Sequence, residues 1–356
     1  MARVSRARVG LFELDREQFS LRTGLVGLLA LGAAVAFLAV VGYAGVAAVL
    51  GAIITAVSAG SGRLAPCIAR GVAVATVGSL LTVVGVWSGE RGWTAGLVVT
   101  VVTFAATIVV AYGKTAATAA FLLNLWLLLS LTFTASDHSL GGLAASFLAG
   151  GAFAVVLQPL AAHRRRTAAP PGPGAEEPPA APAGPWSAPL RAALRPESPL
   201  FQFAVVRGLA TGGTTALGWY LFDRHPYWAV LVAFVIIKSD PVESWAIGVH
   251  RAVGTVFGAA VGILVVQNVD STPWLTFLLV VASMLMVAVQ RANYAAFTFF
   301  LTTLLILSTR LVEGDVGETV WERVGATVLG IGIAFAVTAV VLSIAGRRQP
   351  GTATTA

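Results

Sequence analysis

The sequence predicts an all-α membrane protein that crosses the bilayer about twelve times, as two parallel six-helix repeats. Charged residues make up only 11% of the 356 residues, whereas an ordinary soluble domain carries about 25%. Two long apolar blocks flank a proline-rich stretch, and the two blocks share one layout. With apolar residue types at 57%, the chain could not cover a water-facing surface, so lipid must solvate much of it.

Composition also excludes several kinds of site. The single cysteine, Cys67, rules out a disulfide framework and a cysteine-based metal site. The formal charge of +7 does not indicate nucleic-acid binding, because the basic residues lie between apolar runs and form no basic arm. Only two of the 23 basic residues are lysines, a bias typical of GC-rich bacterial genomes. We therefore expect a multi-pass protein of a bacterial inner (plasma) membrane.

Each apolar block supplies six runs, most of them roughly 15–22 residues long. The first block, 21–160, follows a charged N-terminal segment at 1–20 and contains runs at 22–41, 44–59, 67–86, 93–112, 115–134 and 140–160. The second block, 201–345, contains runs at 203–222, 226–238, 250–268, 273–290, 294–311 and 322–345. The first run is too long for the apolar core of a signal peptide, so we expect an uncleaved first span.

The stretch between the blocks, 161–200, holds ten of the sixteen prolines. Such a composition cannot bury apolar area, and it predicts a disordered cytoplasmic linker. The polar tail, 346–356, is predicted to be disordered as well.

The basic residues predict the orientation. With twelve spans and both termini in the cytoplasm, nineteen basic residues face the inner side and four face the outer side.

Corresponding residues also recur between the blocks. Arg70 and Arg251 open the third span of each block, and Trp93 and Trp274, which lie 181 residues apart, open the fourth. Since six spans return the chain to the same side, the two repeats should be parallel.

The second block resembles the fusaric-acid-resistance-like family of bacterial membrane proteins, which includes aromatic-acid exporters. The residues that carry the resemblance are Tyr227, Trp228 and Ala229 in the second span, Arg251, Gly254, Thr255 and Gly258 in the third, and Arg323 at the start of the last. The first block follows the layout loosely, with Ala73 and Val74 where Gly254 and Thr255 would align. The resemblance implies efflux of organic acids and a site that is asymmetric between the blocks.

The second spans, 44–59 and 226–238, are unusually short, and prolines 226 and 241 bracket the latter. Paired short or broken helices indicate a binding site near the middle of the membrane. The alternative is a helix that continues through Ser239–Ala246 and tilts.

Several side chains are candidates for binding a substrate. Arg70 and Arg251 are expected where an inner loop becomes a helix, a position that attracts anions; alternatively, both anchor the chain at lipid headgroups. Asn124 and Thr302 lie at matching mid-span positions, where they either line a pathway or bond neighbouring helices. Tyr227 and Trp228 either stack on an aromatic ligand or belong to the interfacial aromatic belt.

Three glycines recur every four residues on one face of the third span of the second block: Gly254, Gly258 and Gly262. This spacing favours close helix packing, with Thr255 as a hydrogen-bonding neighbour.

Glu322 begins the last span, where a desolvated carboxyl group can exchange protons and serve proton coupling. The alternative for Glu322 is an interfacial pair with Arg323.

No motif indicates catalysis. The run Gly113-Lys114-Thr115 lacks the first glycine of a P-loop, because Ile108 occupies that position. The four histidines have no metal-ligand spacing, and no nucleophile–base arrangement can be placed on one side of the membrane. We therefore expect no enzyme, no metal and no cofactor.

These expectations combine into one functional hypothesis. The chain is predicted to export small organic anions, chiefly aromatic carboxylates, from the cytoplasm, driven by the proton gradient if energy is needed. A passive organic-anion channel and a non-transporting membrane scaffold are the alternatives. The expected partners are small organic anions and the lipid bilayer, and a homo-oligomer is left open.

Overall fold

The computed structural model describes residues 43–59, 64–133, 139–167, 187–223, 225–290, 292–312 and 317–347. Every regular element in these ranges is a helix, so the predicted all-α class is confirmed for this part of the chain. The predicted N-terminal segment, the first span at 22–41 and most of the tail lie outside the described residues.

The first half contains five described helices. They are α1 (Tyr43–Ala59), α2 (Leu64–Gly89), α3 (Gly92–Val109), α4 (Lys114–Ser130) and α5 (Leu140–Thr167). A single 3₁₀ turn, Val110–Tyr112, extends α3. Gly113 follows it with φ +97°, a backbone angle that favours glycine, and the chain reverses there into α4.

Seven further helices follow. They are α6 (Ala188–Ala193), α7 (Pro199–Leu221), α8 (Trp228–Ile236), α9 (Pro241–Asn268), α10 (Thr272–Val289), α11 (Tyr294–Val312) and α12 (Gly317–Arg347). Both described ends of the predicted linker are helical, because α5 runs on to Thr167 and α6 begins at Ala188.

Seven helices of the described ranges are long and apolar enough to cross a membrane: α2, α3, α5, α9, α10, α11 and α12. Helices α1 and α4 are apolar but shorter. The membrane-length helices carry large apolar side chains on their outer surfaces. On α3, for example, Trp93, Leu97 and Val101 are each more than half exposed. Such a surface suits lipid and not water. The chain is therefore a multi-pass membrane protein.

The chain divides into two compact units, and the division falls within α7 between Gly212 and Gly213. In the unit before the division, α5 packs against α1 and α2, and α4 packs against α2 and α3. Its core centres on Trp126, whose ring stacks on Phe147 at 4.9 Å and whose Nε1 donates to Thr82 Oγ1 at 2.9 Å. An indole that is fully buried needs such a partner.

In the unit after the division, the closest packing joins α9 to α11. The three glycines predicted to form a packing face lie in this interface: a Cβ at Gly254 would meet Ala295 O at 2.4 Å, and one at Gly258 would meet Phe299 O at 2.4 Å. Gly262 lies against Ile306. Thr303 Oγ1 also donates to Gly258 O at 3.1 Å, which ties the two backbones together.

We expect Gly258→Ala to lower the stability of the purified protein by about 1–3 kcal/mol, because the added methyl group has no room against the α11 backbone. The measurement is thermal unfolding in detergent. Gly332→Ala is the matched control, since a Cβ there meets nothing within 4 Å. Equal melting temperatures for the two variants would contradict the interface.

Candidate functional site

The backbone breaks between α8 and α9. Helix α8 ends after nine residues, and Ile237 and Asp240 are extended. The Asp240 carboxylate accepts a hydrogen bond from the Val242 amide at 2.9 Å, and Pro241 occupies the first turn, so a new helix starts here. The predicted short span is therefore a separate short helix, and one helix does not run on from it through Ser239–Ala246.

This early start corrects the expected position of Arg251. The sequence suggested that Arg251 opens a span at the inner surface, but α9 begins ten residues earlier, so Arg251 lies well inside the helix. Its side chain is only 6% exposed. Arg251 Nη1 donates to the Tyr294 hydroxyl on α11 at 2.9 Å, whereas its buried Nε has no hydrogen-bond partner among the described residues.

Arg323 also lies deeper than expected. It was predicted to open the last span at the outer surface, but α12 begins at Gly317 and Arg323 is 5% exposed. Its guanidinium carbon lies 5.0 Å from the centroid of the Trp228 ring on α8. Arg323 is within electrostatic range of Arg251 and Tyr294, and its own buried Nε has no hydrogen-bond partner in the described part of the chain.

Four helices of one unit thus bring together Arg251 (α9), Arg323 (α12), Tyr294 (α11) and Trp228 (α8), a set we call the arginine cluster. Among the described residues, neither arginine forms an ion pair with a carboxylate. Two buried guanidinium groups repel each other, and each unpaired buried charge carries a desolvation penalty of several kcal/mol. Both lie in helices apolar enough to cross the membrane, where ionisable residues commonly mark substrate pathways.

Glu322 does not supply the missing charge. Its Oε2 lies 2.7 Å from His225 Nδ1, and the two side chains share a hydrogen bond. The His225 ring in turn stacks on Trp228, with centroids 3.8 Å apart. The expected alternative, a Glu322–Arg323 pair, is therefore wrong. Adjacent residues on a helix point in different directions, so Glu322 reaches His225, just before α8, while Arg323 points towards the Trp228 ring.

The structure also places the other residues predicted for a site in this half. Thr255 lies one helical turn after Arg251, and Thr302 lies on α11; both are buried, and neither hydroxyl has a partner among the described residues. Tyr227 is 5% exposed, with its ring 6.2 Å from that of Trp219. The Trp228 ring is already contacted by His225 and Arg323.

The two predicted residues of the first half are engaged in packing within their own unit. Arg70 donates from Nε at 3.0 Å and from Nη2 at 2.8 Å to the carbonyl of Ala59, the last residue of α1. This contact caps the negative end of a helix. Asn124 is 1% exposed, and its Nδ2 donates to Thr103 Oγ1 on α3 at 3.0 Å.

Sequence reasoning missed Tyr294 and His225, and it placed Arg323 at the surface. Arg323 offered a signal, because it is the basic residue inside the apolar stretch Val320–Val341. His225 lies two residues before Tyr227, the first of the motif residues that carry the family resemblance. Tyr294 gave no comparable signal, since a tyrosine at the start of a span is typical of an interface.

A known family matches part of this unit. Residues 210–337 match the family described as fusaric acid resistance protein-like. The match confirms the resemblance predicted from the motifs, and it includes all four residues of the arginine cluster. Two curated proteins are also similar to part of the chain.

The inner membrane protein YccS of Escherichia coli (strain K12) is 32% identical over 141 residues, which are 40% of this chain and 20% of YccS. The uncharacterized protein ORF2 of Neisseria gonorrhoeae is 26% identical over 151 residues, which are 42% of this chain and 36% of ORF2. The match thus spans about a fifth and about a third of these relatives. No solved structure matches the chain.

We expect Arg323→Met to raise the thermal stability of the purified protein in anion-poor buffer by about 1 kcal/mol or more, because an apolar side chain of similar length removes an unpaired buried charge. The measurement is the melting temperature in detergent. Arg191→Met, at an exposed position of α6, is the control and should change little. A marked fall in the melting temperature of the Arg323 variant would reveal a stabilising partner for this cation.

Proposed function

We propose that the protein is a transporter that exports small organic anions, aromatic carboxylates among them, from the cytoplasm across the bacterial inner membrane. The observation that carries this proposal is the pair of buried arginines, Arg251 and Arg323, without a carboxylate partner among the described residues. A protein selected only for stability would gain by replacing them with apolar side chains. An anion that enters the cluster offsets at least part of their charge, and its departure restores the unfavourable state.

The location follows from the relatives and the charge pattern. YccS is named an inner membrane protein. Arg251 was counted among the basic residues of the inner side and Arg323 among those of the outer side, and both are buried. Without these two residues, basic residues are still far more numerous on the inner side. We therefore keep the orientation with both termini in the cytoplasm.

Packing supports the proposed duplication into two parallel six-helix repeats. Five contacting pairs of the first unit, α1–α2, α1–α5, α2–α4, α2–α5 and α3–α4, recur in the second unit, numbered by predicted span, as α8–α9, α8–α12, α9–α11, α9–α12 and α10–α11. The contacts of α1 with α4 and of α2 with α3 in the first unit have no counterpart of comparable extent in the second. Shared pairing of this kind is expected of parallel repeats. The proposed repeats are 21–160 and 201–345.

Proton coupling is the proposed energy source. Glu322, in the first turns of α12 and next to Arg323, is the proposed coupling residue, and its carboxylate shares a hydrogen bond with His225. The His225 ring stacks on Trp228, which connects Glu322 to the arginine cluster.

The transport test is uptake of radiolabelled benzoate or 4-hydroxybenzoate into inverted membrane vesicles, with and without an imposed pH gradient. We expect accumulation that depends on the gradient. Arg251→Gln and Arg323→Gln should each reduce the initial rate at least about tenfold, because a charge-assisted hydrogen bond to a buried group is worth about 1.5–3 kcal/mol. Arg191→Gln is the matched control and should retain the rate.

Other outcomes separate the remaining functions. Uptake that follows the membrane potential and ignores the pH gradient would identify a passive channel. Absence of uptake for every aromatic carboxylate, together with full biological activity of both glutamine variants, would favour a non-transporting scaffold.

Orientation has its own test. Since Cys67 is the single cysteine of the chain, a Cys67→Ser background allows one new cysteine to be labelled. Ser187→Cys, between the two blocks, should react with a membrane-impermeant maleimide in inverted vesicles and not in intact spheroplasts. Labelling in intact spheroplasts would place this region outside the cell and overturn the orientation.

A further inference from the structure

We propose that the arginine cluster is a binding site for a single dianion, a ligand with two negative charges, in preference to a monocarboxylate. This inference rests on the proposed function, because it defines the charge of the anion that the same site receives. Both sources of a small dianion, an organic dicarboxylate and an inorganic oxyanion such as sulfate, share the chemistry that the cluster recognises.

The first support is geometric. Arg251 and Arg323 approach from two different helices, each is more than nine-tenths buried, and each keeps an Nε without a hydrogen-bond partner among the described residues. Tyr294 accepts a hydrogen bond from Arg251 through its oxygen, so its own O–H is available to donate. The cluster therefore offers donors from both guanidinium groups and from a phenol, a set suited to oxyanions.

The second support is the charge balance. A monocarboxylate would neutralise one guanidinium group and leave the other buried and unpaired, which is the costly situation that already exists without a ligand. A dianion offsets both charges at once. Glu322, the nearest carboxylate along the chain, shares its hydrogen bond with His225 and makes no ion pair with Arg323.

The third support is the polar environment. Thr255, one turn beyond Arg251 on the same face of α9, is 2% exposed, and its hydroxyl has no partner among the described residues. The Trp228 ring lies against Arg323 and holds its guanidinium in place through a cation–π contact.

The experiment uses the full-length protein in detergent at neutral pH and constant ionic strength. Isothermal titration compares isophthalate, sulfate, benzoate and chloride. The better of the two dianions should bind at least about tenfold more tightly than benzoate, which corresponds to about 1.4 kcal/mol. Whichever dianion binds more tightly identifies the source, and either result supports the site.

Variants assign the preference to the cluster. Arg251→Gln and Arg323→Gln should reduce the preference for the dianion to within about twofold, because each then has one buried charge to offset. Arg323→Lys retains the charge and should retain most of the preference. Arg191→Gln should behave as the unmodified protein. Size-exclusion chromatography verifies that each variant is folded. The preference of the unmodified protein for a dianion over benzoate tests the inference even if a variant fails to fold.

Three results would overturn the inference: benzoate binding as tightly as both dianions, a preference that survives in both glutamine variants, or failure of both dianions to bind. Transport of benzoate by a protein that binds no dianion would defeat this inference and leave the proposed function intact. Arginine-dependent dianion binding without transport of any anion would defeat the proposed function and leave the site.

Discussion

The structure of the second unit depends on the burial of two positive charges in a region that lipid surrounds. Arg251 and Arg323 come from helices apolar enough to cross the membrane, and together they leave two guanidinium nitrogens without partners in the described part of the chain. The hydrocarbon core of a bilayer offers no water to hydrogen-bond these nitrogens. The packing of the surrounding helices must therefore offset the desolvation cost of the two guanidinium groups. The proposed ligand would offset this penalty while it is bound.

Two local features of the sequence make that burial sterically feasible. The break after Ile236 ends α8 early and lets α9 begin at Pro241, which moves Arg251 away from the membrane surface and into the bundle. The glycines at 254 and 258 then allow α11 to approach so closely that Tyr294, at its first turn, reaches the guanidinium group. Backbone geometry and small residues, not charged residues, thus determine where the charges lie.

The sequence was sufficient for the helical class, for most span positions and for the family resemblance, since these depend on apolar runs and local motifs. The sequence did not predict the position of Arg323, because a hydropathy pattern places a charged residue at the end of the nearest span. The contact with Trp228 shows that the side chain turns inward. Arg251 was misplaced for a related reason, since residues 239–246 are polar enough to resemble a loop. The partner of Glu322, His225, is 97 residues away in sequence, a distance that no local pattern bridges.

The arginines of the two halves have different surroundings. At the 181-residue offset of the proposed duplication, Ala47 corresponds to Trp228, Gly142 to Arg323 and Gly113 to Tyr294, so of the cluster only the arginine at position 70 is kept. That arginine donates two hydrogen bonds to the Ala59 carbonyl. Asn124 likewise bonds to Thr103. In the first half Arg70 and Asn124 stabilise helix packing, whereas Arg251 and Arg323 in the second half each keep an Nε without a hydrogen-bond partner among the described residues. This difference between the arginines is the reason that the ligand site is proposed for the second half.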